Sequence, residues 1–64
     1  MKIGDKVKIQ QGVYFNEVGT IIGIMPEAEY PFVVRVPING RGLTMFFAER
    51  ELQEVEEPPQ AALV

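Results

Sequence analysis

Charged and β-branched residues alternate in "KVKIQ" (residues 6–10), with Val7 and Ile9 in one phase and Lys6 and Lys8 in the other. Period two predicts a half-buried strand with the lysines on its wet face. "VGTIIGIM" (residues 18–25) predicts a second strand. Its two glycines, Gly19 and Gly23, predict strong bending there, as at the corners of a small barrel. In "FVVRV" (residues 32–36) alternation sets Phe32, Val34 and Val36 on one face and Val33 and Arg35 on the other. Pro37 is expected to end that strand because it has no N–H to donate. "LTMFF" (residues 43–47) predicts a fourth strand, "AERE" (48–51) one turn of 3-10 helix and "LQEV" (52–55) a short fifth strand.

Turn residues separate these runs. Asn16 lies in the loop before the second strand, where its side chain can bond nearby backbone and its backbone tolerates positive φ. "PEAEYP" turns between prolines, and "INGRG" is rich in residues that accept positive φ. Five short strands with one helical turn before the last predict an all-β fold, a small five-stranded SH3-like barrel over residues 1–55. An OB barrel competes, but it requires a longer chain and a helix between the third and fourth strands. "EEPPQAALV" (residues 56–64) has no periodicity and is expected to be a flexible acidic, proline-containing tail. The expected core is Val7, Ile9, Val18, Ile21, Ile24, Phe32, Val34, Val36, Phe47, Leu52 and Val55. Tyr14, Phe15, Val33, Leu43, Met45 and Phe46 are left to compete for the remaining interior. The surplus predicts an apolar docking patch rich in aromatics and Met.

Length and composition narrow the function. At 64 residues the chain makes one domain and buries about 60% of its unfolded surface, which supports a margin of roughly 3–5 kcal/mol. Cysteine and histidine are both absent. No disulfide or thiolate metal site can staple the fold, and the commonest general base is missing. An assembly partner is the remaining staple. No apolar run reaches the length of a membrane span, and Lys2, Asp5, Lys6 and Lys8 interrupt any secretory apolar core after Met1. The net charge of −3 is uneven: Lys2, Lys6, Lys8, Arg35 and Arg41 outnumber Asp5, Glu17, Glu27 and Glu29, while Arg50 faces Glu49, Glu51, Glu54, Glu56 and Glu57. This balance lacks the basic excess of a nucleic-acid binder. The carboxylates have no nucleophile or base beside them in the pattern, so an enzyme is not expected.

Three stretches carry a family resemblance: "YFNEVGTIIGI", "EYPFVVRV" and "FAERELQEV", with "GDKVKI" at the start. In order, over roughly residues 4–55, they resemble the PsaE family, subunit IV of the photosystem I reaction centre. There an aromatic pair leads through "VGTVASV" into the second strand, "YPVVVRF" forms the third, and "NNFAxxEL" leads into the last. The chain departs from the family in the loop between the third and fourth strands, shortened to "PINGRG", and in Leu43-Thr44-Met45-Phe46 before the matching phenylalanine.

The resemblance implies a non-catalytic, cofactor-free subunit with an SH3-like fold. It would be peripheral on the cytoplasmic or stromal face of a thylakoid-type membrane, held there by the complex. Its expected partners are the photosystem I core, neighbouring peripheral subunits and, transiently, ferredoxin. Arg35 matches the family's docking arginine and is the first candidate for ferredoxin, with Lys6, Lys8 and Arg41 behind it. Tyr14, Phe15, Asn16, Tyr30 and Phe46 are the expected subunit-interface residues. An alternative is a small KOW- or SH3-like module that binds RNA or another protein, since Gly19-Thr20-Ile21 also suits a KOW strand.

Overall fold

The computed structural model describes residues 1–55, and the expected tail at 56–64 lies outside them. The described chain is all-β: β1 (Lys6–Ile9), β2 (Val18–Ile24), β3 (Phe32–Ile38), β4 (Arg41–Phe47) and β5 (Leu52–Glu54), with one 3-10 turn at Glu49–Glu51. All pairings are antiparallel, in the order β4-β3-β2-β1-β5.

The connection from β4 to β5 forces this sheet to curl. Flat, its two edge strands would stand four spacings apart, about 19 Å. Only Ala48 and the 3-10 turn join them, and at about 2 Å per residue that link reaches roughly half the distance. Curling turns one face inward, which is how Val7, Ile9, Ile21, Val34 and Val36 reach 0% exposure with no second layer to cover them. Leu52 completes this core, and Met1, Tyr14, Ile24, Phe32, Ile38, Met45 and Phe47 pack around it. Each fully buried aliphatic side chain contributes roughly 1.5–3 kcal/mol before chain entropy is subtracted. No ladder joins β4 to β5, so the sheet is curled but not closed.

The strand phases follow the alternation with two corrections, and Val55, expected in the core, lies half-buried just past β5 and outside the core cluster. In β2 the inward position is Gly19, and Val18, expected in the core, points outward at 38% exposure. The close approach of β3 explains the exchange. A Cβ at Gly19 would lie 2.6 Å from Val34 Cγ1 and 2.8 Å from the Arg35 carbonyl oxygen, so no larger residue fits. Further along, Ile21 pairs with Val34 and Gly23 with Val33, which leaves Ile22 as the extra residue of a β-bulge. The bulge resets the phase, so Ile21 and Ile24 both face the core although three positions separate them.

The second correction concerns Pro37, which does not end β3. The strand continues to Ile38 and pairs with β4 down to Ile38↔Arg41. Asn39 (φ 53°) and Gly40 (φ 79°) make the two-residue turn between them, both residues at positive φ as a type I′ hairpin requires. A two-residue loop makes Ile38 and Arg41 the hydrogen-bonded closing pair, so Pro37 and Gly42 form a non-hydrogen-bonded pair. The missing proline N–H therefore faces away from β4 and breaks no bond of that ladder.

Short local bonds hold the ends. The Asn16 N–H donates to the Ile9 carbonyl at 2.8 Å, and the Ile9 N–H donates to the Glu17 carbonyl at 2.9 Å. Asn16 sits at φ 76°, the left-handed turn expected of it. Before the 3-10 turn the Ala48 N–H donates to Glu51 Oε1 at 2.8 Å, satisfying one backbone donor at the helix start. The Met1 amino group lies 3.3 Å from Glu54 Oε2, a pair open to solvent on the Glu54 side and of small energetic weight.

Candidate functional site

The register assembles the site on the outer face of the sheet. Lys6 stands opposite Thr20, Thr20 opposite Arg35, and Arg35 opposite Thr44. These four residues form one row across β1, β2, β3 and β4. Lys8, opposite Val18, shares the outward phase one step along. Of the four cations expected to dock ferredoxin, Lys6, Lys8 and Arg35 therefore share a face. Arg41 does not: it has the inward phase of Leu43 and Met45, exposed at the hairpin tip.

Arg35 is held in a specific posture. Its side chain crosses from β3 over Gly42 of β4, where a Cβ would sit 2.7 Å from Nη2, 2.8 Å from Cζ and closer still to Nε. The missing side chain at Gly42 leaves the floor on which the guanidinium lies. Arg35 is exposed, and among the described residues neither it, Lys8 nor Arg41 forms an ion pair. An internal pairing of Arg35 with Glu27 or Glu29 is not made. The guanidinium's planar donors are left facing solvent, a geometry that suits a carboxylate. No carboxylate shares the Lys6–Thr20–Arg35–Thr44 row.

The outer face is apolar beside that row. Val33 stands between Gly23 and Phe46 in register, with the bulged Ile22 next to it. Ile22 is 45% exposed and Phe46 52%. Cations thus lie next to an apolar strip, an arrangement the sequence disclosed only in part. The Phe46 phase was readable, but Ile22 joined it only through the bulge.

The expected interface residues divide into three groups. Tyr14 packs on the core and lines a groove of about 570 Å³ with Gln11, Gly12, Val13, Met45, Phe46, Phe47 and Glu51. Curling makes this groove, because it brings the β1–β2 loop against the end of β4. Phe15 and Asn16 are exposed on the same loop. Tyr30, also exposed, lies apart from them in the β2–β3 loop with Met25.

Among the described residues no group of three His, Cys, Asp or Glu side chains could hold a metal ion, and no helix is long and apolar enough to cross a membrane. No protein-family model matches the chain, and no curated protein matches it.

Proposed function

We propose that this chain is a non-catalytic peripheral subunit of photosystem I, on the cytoplasmic or stromal face, where it helps an acidic ferredoxin to dock and steadies neighbouring subunits. The observation that carries the reading is the exposed Arg35 guanidinium, laid over Gly42 in a row without carboxylates, with Lys6 and Lys8 on the same face two strands away. Such a face attracts an acidic partner and acts mainly on its encounter rate. The stretches that resemble the family, "YFNEVGTIIGI" and "EYPFVVRV", support ferredoxin as that partner and photosystem I as the complex. The aromatic groove and the exposed Phe15 supply surfaces for the larger subunits.

Isolation of the tagged chain from photosynthetic membranes tests this reading. It should bring down chlorophyll-bearing photosystem I, identified by its absorption spectrum, and leave the membrane with chaotrope without detergent. Recovery only with soluble ribonucleoprotein would reject the placement.

The groove also favours a second reading, a small SH3-like module that binds another protein. Its lining of Tyr14, Met45, Phe46 and Phe47 has the aromatic and Met content of an interface core. Recovery of a single soluble protein partner, lost on Tyr14→Ala, would favour it.

A further inference from the structure

The free edge of β4 carries an inference beyond the photosystem reading. β4 ends the sheet order, so its outer side has no strand beside it among the described residues. The hairpin register decides which groups face that side. With Ile38 and Arg41 as the closing pair, alternation bonds Arg41, Leu43, Met45 and Phe47 to β3 and turns the N–H and C=O of Gly42, Thr44 and Phe46 outward. This edge is seven residues long. It contains no proline, no bulge and no charge except Arg41 at its tip, so the strand itself lacks the usual protections of an edge; the β1–β2 loop stands across the open groove from its Met45–Phe47 end.

We infer that a second copy of this chain covers the edge, β4 against β4 in antiparallel register about Thr44. In that register Thr44 faces Thr44 of the other copy, and Gly42 faces Phe46. Every outward N–H and C=O of Gly42, Thr44 and Phe46 then finds a partner. The side chains are complementary as well. Phe46 arrives opposite the one position of the strand that lacks a side chain, where the Arg35 guanidinium already lies over Gly42. An aromatic face meets a flat cation there. On the opposite face Leu43 meets Met45, and Arg41 meets Phe47. Both cations of the hairpin thus face rings of the other copy. The two Arg41 side chains fall about 20 Å apart, too far to repel strongly in salt. Shifting the register by two leaves Phe46 against Thr44 and strands the Gly42 groups. The contact is isologous and closes on itself, which makes a dimer rather than a fibre. It uses Arg35, so dimer formation and the docking of an acidic partner compete for one guanidinium.

Sedimentation of the full purified chain over a concentration series, without other proteins, tests the inference separately from the photosystem assignment. The wild type should pass from monomer to dimer as concentration rises. Phe46→Ala should raise the dissociation constant about tenfold or more. Thr44→Pro, which removes an outward N–H without touching the β3 ladder, should abolish the dimer. Circular dichroism confirms the fold of each variant. Should Thr44→Pro not fold, wild-type amide exchange decides: Thr44 and Phe46 should exchange more slowly as concentration rises. A wild type that stays monomeric, a dimer unaffected by Phe46→Ala, or Thr44 exchange independent of concentration would each overturn the inference.

Discussion

Gly19 and Gly42 both lie within strands, on opposite faces of the sheet, and both are crowded by β3: Gly19 by Val34, Val36 and the Arg35 backbone, Gly42 by the Arg35 side chain. Gly19 lies inward on β2, where an added Cβ would meet the Arg35 carbonyl oxygen and the methyls of Val34 and Val36, all within 2.9 Å. Gly42 lies outward on β4, where an added Cβ would meet the guanidinium of the same residue. A backbone carbonyl in a ladder cannot move aside, whereas the far end of an arginine can. The inner glycine is therefore a requirement of packing. The outer one leaves room for the Arg35 side chain to lie across β4.

The largest effect that separates the two faces should come from adjacent isoleucines. Ile21 is fully buried and Ile22 is 45% exposed, although they are neighbours in one strand. Ile21→Ala should cost about 2–5 kcal/mol, comparable to the whole margin of a chain this size, roughly 3–5 kcal/mol. Ile22→Ala should stay within about 0.5 kcal/mol of the wild type. Urea unfolding followed by circular dichroism measures both. Equal midpoints would mean that the bulge does not separate their faces.

Gly19→Ala comes next. Forcing a methyl against the β3 backbone should cost about 1–3 kcal/mol, seen as a lower urea midpoint. An unchanged midpoint would show that β2 and β3 can spread, and the comparison with Gly42 would fail.

Gly42→Ala is smaller still. Its exposed site and yielding neighbour predict a stability change within about 1 kcal/mol. The Arg35 side-chain NMR resonances should shift as the guanidinium is displaced. If Gly42→Ala unfolds the chain while Gly19→Ala does not, the assignment of the two glycines is reversed.

The sequence disclosed this contrast unevenly. "KVKI" and "FVVRV" have apolar residues in one clear phase, and their inner and outer residues could be assigned from alternation alone. "VGTIIGI" has apolar residues in both phases. Nothing local marks Gly19 as the inward residue, since the cause is Val34, Arg35 and Val36 of a distant strand, so the local pattern puts Val18 inside. The Asn39-Gly40 pair is a strong hairpin signal, but Pro37 masked it, because a proline is harmless only at a non-hydrogen-bonded pair and that depends on register. Within the candidate site, the outward phases of Lys6, Lys8 and Arg35 were legible. The seat that Gly42 provides for the guanidinium was not, since it joins residues on two strands through a hairpin whose register was unknown.

In the proposed role the Arg35 face speeds the arrival of an acidic ferredoxin at photosystem I, and flash-induced ferredoxin reduction tests that role most directly. Complexes carrying wild-type chain or Arg35→Gln are compared across a salt series, with the subunit confirmed in place. Arg35 is exposed and without an ion pair among the described residues, so its removal should leave fold and assembly intact. At low salt the variant should reduce ferredoxin several-fold more slowly, on the order of 1 kcal/mol. The two rates should converge as salt rises, because the Debye length falls to about 8 Å near 0.15 M. Equal second-order rates at low salt would contradict the claim and make Arg35 ordinary surface.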